Sequence, residues 1–87
     1  MKKEMSYFVY ILYSEKICKY YVGMSNDPEK RLQYHNLGKK GWTKRGIPWK
    51  IVYKKRYDSK RAAMGAERYI KSQKDRSYIE KLISEEE

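Results

Sequence analysis

The chain has 87 residues, of which 40% are hydrophobic and 15% aromatic, and its formal net charge is +10. This composition excludes wholesale disorder and fits a single folded domain over residues 1–87, with a core at about 7–83 and an acidic tail at 85–87. No apolar run approaches the ~20 residues that a membrane-spanning helix needs, and a single cysteine leaves no partner for an intramolecular disulfide.

The first part of the chain predicts a β-hairpin. Residues 7–13 are aromatic or β-branched on both alternating faces, which is typical of a strand covered on both sides. A short polar connection at 14–19 leads to a second apolar and aromatic run at 20–24. This run predicts the returning strand.

A short helix and a basic loop are predicted next. Asp27 suits the N-cap position and Pro28 the first helical position, and the helix is expected to end near Asn36. Residues 38–48 contain three glycines and a proline and predict a loop.

A third strand is predicted at 49–57. Its alternating pattern places Ile51 and Tyr53 on one face, and Lys50 and Lys54 on the other.

Two helices complete the pattern. Asp58 or Ser59 is expected to cap a helix at about 60–74, whose inner stripe contains Ala63, Ala66 and Ile70. The pattern Ser77-x-x-Glu80 predicts a capping box at the start of the last helix. The order β-β-α-β-α-α predicts an α+β fold, with a short, mainly antiparallel three-stranded sheet flanked by helices.

Positive charge is concentrated in the middle of the chain. Residues 39–61 include ten basic side chains and one acidic side chain. Such a surface attracts polyanions, nucleic acid above all, although a merely soluble basic face is the alternative interpretation. A membrane-surface helix is disfavoured because these residues fall on strand and loop. The candidate nucleic-acid contacts are Lys39, Lys40, Lys44 and Arg45, with Trp42 as a stacking platform and Trp49 in the core.

Few side chains are suited to catalysis. Arg31 and the single histidine, His35, are four residues apart and therefore share a helix face. Glu67 lies at the edge of the predicted buried stripe, between Ala63 and Ile70, so its carboxylate either reaches water or enters a polar pocket.

These residues together resemble the GIY-YIG nuclease domains, and in particular their small stand-alone bacterial subgroup. The resemblance covers about residues 7–74 and depends on two triplets and three later residues in the family's order: Phe8-Val9-Tyr10, Tyr21-Val22-Gly23, Arg31, His35 and Glu67.

The resemblance implies a metal-dependent endonuclease that hydrolyses DNA phosphodiester bonds with structure-dependent or weak sequence preference. Glu67 would hold a single divalent ion, Mg²⁺ or Mn²⁺, and Arg31 would bind phosphate. The general base would be Tyr10 or Tyr21; Tyr10 is favoured, with Tyr21 as a substrate- or water-orienting group. Arg31 together with the metal cation is expected to lower the tyrosine pKa. His35 would donate to phosphate or shuttle a proton.

Other parts of the prediction concern structure, partners and location. Val9, Val22 and Gly23 are structural positions of the motif, and Gly23 is expected to let the strand pass close to a helix or ligand. We expect DNA as the partner, no membrane contact, targeting by a DNA structure or a protein partner, a role in DNA repair or recombination, and a cytoplasmic location.

The alternative function is a nucleic-acid-binding module with little or no cleavage. No asparagine follows Glu67, whereas many nucleases of the family carry one there.

Overall fold

A computed structural model describes residues 6–38 and 41–85. The elements follow the predicted order: β1 (Tyr7–Ser14), β2 (Lys19–Ser25), α1 (Pro28–Asn36), β3 (Trp49–Tyr57), α2 (Lys60–Gln73) and α3 (Arg76–Glu85). A 3₁₀ helix, Trp42–Gly46, lies within the segment predicted as a loop. None of the helices in the described ranges is long and apolar enough to cross a membrane.

The sheet is antiparallel, with strand order β2-β1-β3, which confirms the predicted α+β fold. The central strand, β1, is apolar on both faces, and Val9, Tyr10, Ile11 and Leu12 are each at most 1% exposed. A strand buried on both faces requires a layer on each side of the sheet, so helices pack on both sides.

One face of the sheet packs against α2 and α3. Val9 and Ile11 of β1 meet Ala63 and Ile70 of α2, the predicted inner stripe, and Leu82 of α3 packs at the margin. Because a Val, Ile or Leu side chain stabilises the fold by roughly 1.5–3 kcal/mol when fully buried, this cluster holds α2 firmly against the sheet.

The other face of the sheet forms a second cluster. Tyr10 and Leu12 of β1 pack with Trp49 of β3, and Leu32 of α1 and Ile47 of the loop cover them. This cluster brings α1 close to Tyr10.

A β-bulge in β3 changes the predicted faces of that strand. Ile11 pairs with Tyr53 and Leu12 with Ile51, so Val52 is an extra residue between them. One extra residue reverses the side on which the following side chains point. The prediction that Ile51 and Tyr53 share a face is therefore wrong: they lie in the two different core clusters.

The N-terminal ends of α1 and α2 follow the prediction. The Asp27 carboxylate accepts a hydrogen bond from the Lys30 backbone N–H at 3.2 Å, with Pro28 at the start of the helix. Of the two alternatives for α2, Ser59 is the cap, and its hydroxyl accepts from the Ala62 backbone N–H at 3.1 Å.

The capping box predicted for α3 is wrong. Asp75 precedes the helix, and its Oδ1 accepts hydrogen bonds from the Ser77 backbone N–H at 3.0 Å and the Ser77 hydroxyl at 2.8 Å. Glu80 accepts from Arg76 at 3.0 Å instead of capping. The aspartate two residues earlier caps the helix in place of Ser77, so the helix begins at Arg76.

Candidate active site

Tyr10 lies at the centre of the site and is held by a glycine on the neighbouring strand. Gly23 of β2 pairs directly with Tyr10 of β1. A Cβ atom added at Gly23 would lie 2.6 Å from the Tyr10 hydroxyl oxygen and 2.7 Å from Cζ. The end of the tyrosine ring therefore occupies the space that any other residue at position 23 would need. The close approach that we expected at Gly23 is made by Tyr10, rather than by a helix or a ligand.

Three charged or polar side chains from other elements influence the Tyr10 hydroxyl electrostatically. The Arg31 guanidinium of α1 faces it as a hydrogen-bond donor, and Tyr21 of β2 and Glu67 of α2 lie within electrostatic reach. The fold thus brings together four of the predicted catalytic and metal-binding residues, which the sequence separates by up to 57 positions, from 10 to 67.

The pKa of Tyr10 is raised above its usual value of about 10. Burial of the hydroxyl is the largest cause, and it outweighs the hydrogen bond from Arg31, which acts in the opposite direction. Arg31 therefore acts in the expected direction, but without a bound cation the pKa of Tyr10 is raised overall. Tyr10 is protonated at neutral pH.

His35 packs beneath Tyr21 on the same side of the site. It is one helical turn beyond Arg31 and only 7% exposed, and its ring meets the Tyr21 ring edge-on with centroids 4.7 Å apart. Its Nε2 atom is buried and makes no hydrogen bond within the described ranges. Burial, reinforced by the charge of Arg31, lowers the pKa of His35, so the imidazole is neutral at pH 7. Contact of His35 with phosphate or a proton stays a prediction.

Glu67 lies between the core and solvent. It follows the buried Ala63 by one turn of α2, and its side chain is 23% exposed. Glu67 Oε2 pairs with Lys71 Nζ at 3.1 Å. We did not single out Lys71 in the sequence, although a glutamate four residues before a lysine on a helix is the spacing that favours such a pair.

The donor set is compatible with one hydrated metal ion. No group of three or more His, Cys, Asp or Glu side chains is positioned to hold a metal among residues 6–38 and 41–85. Mg²⁺ is commonly bound through one or two carboxylates, with water and phosphate oxygens completing its coordination. A partly exposed carboxylate beside the tyrosine and the arginine meets that need, so Glu67 fits as the protein ligand. Metal binding itself stays a prediction.

The basic loop borders the site through Trp42. Trp42 begins the 3₁₀ helix and is 48% exposed, whereas Trp49 is 3% exposed and lies in the core as predicted. Lys44 and Arg45 are exposed on the same turn. Lys39 and Lys40, the other predicted nucleic-acid contacts, lie outside the described residues.

The structural positions Val9 and Val22 are buried core residues of the two motif strands, β1 and β2.

Part of the basic segment is neutralised by acidic residues from other elements. In the sequence, only one acidic residue accompanies the ten basic ones between 39 and 61. The fold adds two more, so that three ion pairs form: Lys50–Glu15 at 3.1 Å, Lys54–Glu29 at 2.7 Å and Arg56–Asp58 at 3.1 Å. The positive charge of β3 is therefore lower than the sequence indicates, while Lys44 and Arg45 on the loop have no ion pair among the described residues.

Asn36 positions the helix that carries the arginine and was not identified from the sequence. Its side-chain Oδ1 accepts a hydrogen bond from the Trp49 N–H at 2.7 Å, and its Nδ2 donates to the Trp49 carbonyl at 3.1 Å. This pair of bonds ties the end of α1 to the start of β3. No local pattern marks an asparagine at a helix end for such a role, because its partner is 13 residues away.

Comparisons with known proteins agree with this arrangement. The chain matches the family model described as the GIY-YIG catalytic domain over residues 6–81. It is 39% identical over 67 residues to a UPF0213 protein of Streptococcus pneumoniae serotype 4, an alignment that covers 76% of this chain and 67% of the relative. It is 43% identical over 58 residues to UPF0213 proteins of Streptococcus pyogenes serotypes M5 and M3, covering 66% of this chain and 63% of each relative. The chain thus spans about two thirds of the length of these relatives. No solved structure matches it.

Proposed function

Because the chain belongs to the GIY-YIG catalytic domain family, a nuclease family, we propose that it is a metal-dependent endonuclease that hydrolyses phosphodiester bonds of DNA, with structure-dependent or weak sequence preference. The observation that carries the proposal is the convergence of Arg31, Tyr21 and Glu67 on the buried Tyr10 hydroxyl. A solvated surface arginine and two unrelated polar residues would not be expected to lie within electrostatic reach of one buried phenol.

Arg31 is the phosphate-binding group in this proposal. Its guanidinium has five N–H donors, so it can face the Tyr10 oxygen and still present donors to phosphate oxygens. Arg31 also lies against the Tyr34 ring, with its guanidinium carbon 5.0 Å from the ring centroid. These two contacts orient the guanidinium before the substrate arrives and reduce the entropy lost on binding.

Tyr10 is the proton acceptor and Tyr21 the orienting group. Because Tyr10 is protonated at neutral pH, it must lose its proton before it can accept one from the attacking water. A divalent ion bound at Glu67 would supply positive charge close to the phenol and Lewis-acid stabilisation of the phosphate. Arg31 favours the phenolate by the same electrostatic effect. The cleavage rate is then expected to rise by up to about tenfold per pH unit from pH 7 towards pH 9.

A cleavage assay with matched variants tests the proposal. Plasmid, branched DNA and RNA are incubated with Mg²⁺ or Mn²⁺, using wild type, Tyr10→Phe, Arg31→Lys and, as the control, Tyr69→Phe on the exposed face of α2. Loss of a general base typically reduces a rate by ~10²–10⁴-fold. Arg31→Lys keeps the charge but loses the planar fork, so it should bind DNA and cleave poorly. Retention of wild-type, metal-dependent cleavage by both site variants would contradict the mechanism.

The second candidate is a nucleic-acid-binding module with the nuclease fold but without efficient cleavage. The observation that favours it is the ion pair between Lys71 and Glu67, which engages the proposed metal ligand with an ammonium group at 3.1 Å. If the wild type binds DNA but cuts no substrate with either metal, while Tyr10→Phe and Arg31→Lys bind as tightly as wild type, this second function is correct.

A further inference from the structure

A groove opens beside the candidate active site, and apart from Tyr21 its lining has no role in the mechanism proposed above. It has a volume of about 320 Å³, and its lining consists of Tyr20, Tyr21, Val22, Trp42 and Lys71. Two of these residues connect it to the site: Tyr21 belongs to the cluster around Tyr10, and Lys71 pairs with Glu67. A ligand in the groove would therefore lie next to the reacting phosphate.

Trp42 gives the groove an aromatic wall that is exposed yet held in place. Its side chain is 48% exposed, but its ring contacts Tyr21 at a centroid distance of 6.0 Å and Trp49 at 5.8 Å. The Trp49 ring is itself anchored, because its Nε1 donates to the Thr43 carbonyl at 2.6 Å. A large exposed indole supported from behind in this way is suited to stacking with a planar ligand.

Lys71 gives the groove its positive charge. Its Nζ is 3.1 Å from Glu67 Oε2, and the side chain remains 53% exposed. An ammonium group has three N–H donors, so Lys71 can donate to Glu67 and to a phosphate at the same time. The lining of the groove contains no acidic side chain within the described part of the chain. One cation beside an aromatic face is complementary to a phosphate joined to a base.

We propose that this groove binds one unpaired nucleotide beside the scissile phosphate, with its base stacked on Trp42 and its phosphate on Lys71. The proposal rests on the nuclease function and specifies its substrate class. The volume lies at the low end of the ~300–1,000 Å³ of small-ligand sites and therefore suits one nucleotide. A base inside a duplex is stacked on both faces, so it must leave the stack to reach the indole. The preferred DNA is then single-stranded, branched or otherwise unpaired next to the cleavage point.

The first test needs only wild-type protein and no metal. Fluorescence anisotropy measures the affinity for a labelled oligothymidylate and for an abasic oligonucleotide of the same length and charge. Stacking of one base should make the oligothymidylate bind about 5- to 100-fold more tightly. Equal affinities for the two strands would overturn the proposal, whatever the behaviour of any variant.

Matched variants locate the effect. Trp42→Leu should remove the preference for bases, Trp42→Tyr should retain most of it, and the control Tyr69→Leu, which changes an exposed aromatic residue of α2, should leave it unchanged. Lys71→Gln should weaken the binding of both strands and reduce the slope of log affinity against log salt by ~0.7, the value for one phosphate contact on a single strand. Its control is Lys81→Gln, on the exposed surface of α3.

These measurements separate the groove from the nuclease proposal, because they contain no metal and detect no cleavage. Loss of base preference in Trp42→Leu but not in Tyr69→Leu supports nucleotide binding in the groove even if no substrate is cut. If both variants lose the base preference equally, or if Trp42→Leu keeps it, the proposed nucleotide binding in the groove is overturned. The nuclease proposal is unaffected by either result.

Discussion

Gly23→Ala tests the central contact of the site with one methyl group. The new Cβ would lie 2.6 Å from the Tyr10 hydroxyl oxygen, whereas ordinary contacts begin at 3.4 Å, so the ring must retreat by about 3.4 − 2.6 = 0.8 Å. Tyr10 is 1% exposed and packed in the core around Leu12 and Trp49, which leaves little room for that movement. Overpacking of this kind typically destabilises a protein by ~1–3 kcal/mol.

This cost predicts a fall in the midpoint of thermal unfolding. A change of 1 kcal/mol shifts the midpoint by about 4–8 °C in a domain of 60–100 residues, so Gly23→Ala should lower it by between about 4 and 24 °C. Displacement of catalytic groups by about 1 Å can reduce a rate by ~10²-fold. Thermal unfolding followed by circular dichroism, and cleavage measured well below the midpoint, determine the two effects separately.

Two other glycines provide matched controls. A Cβ at Gly65 meets no atom within 4 Å, so Gly65→Ala should stabilise α2 by up to about 1 kcal/mol through its higher helix propensity. A Cβ at Gly46 would lie 2.6 Å from Trp49 Cζ2, so Gly46→Ala should destabilise the fold by displacing Trp49, a neighbour of Tyr10, and not by occupying the space of the Tyr10 hydroxyl. The reasoning is refuted if Gly23→Ala retains wild-type stability and activity.

Four further predictions follow from the site and its supports. Glu67→Gln should abolish the NMR shifts that Mn²⁺ or Mg²⁺ induces around the site tyrosines, whereas Glu15→Gln should not; unchanged shifts in the first variant would exclude Glu67 as the ligand. The pKa of His35 is lowered in the folded protein relative to about 6.5 unfolded, so its contribution to stability is present above pH 6.5 and is lost as the pH falls through the folded value. Urea unfolding at pH 7.5, 6.5 and 5.5 should show a decline that His35→Phe reduces; an equal decline in both proteins contradicts this assignment. Asn36→Ala should destabilise the protein by ~1–3 kcal/mol because it leaves the Trp49 backbone groups unpaired, and Asn36→Asp, which keeps only the acceptor, should lose less in the same assay. Duplex DNA affinity should fall with salt with a log–log slope of roughly −0.9 per phosphate contact, and a flat response would show that the basic loop does not bind phosphate.

Local patterns in the sequence were sufficient to predict the elements of the fold. The continuous apolar run of β1, the aspartate before α1 with the proline at its first position, and the serine before α2 each act within a few residues, so their effects can be inferred without the fold. The resemblance to the family depended on the two triplets around Tyr10 and Tyr21, followed by Arg31, His35 and Glu67 in the family's order.

Tertiary structure decided the features that depend on residues distant in the chain. The bulge at Val52 follows from how β3 packs on β1, and the two bonds from Asn36 to Trp49 join a helix to a strand. The acidic partners of Lys50 and Lys54 come from a turn and a helix that the sequence places 35 and 25 residues away.

The pKa of Tyr10 shows most clearly why the fold was needed. The sequence places an arginine where it can favour the phenolate, and the structure confirms that this interaction exists. The sequence carries no measure of how completely the surrounding layers remove water from the hydroxyl. Burial of the hydroxyl costs the phenolate more than Arg31 restores, and only the tertiary structure sets that balance.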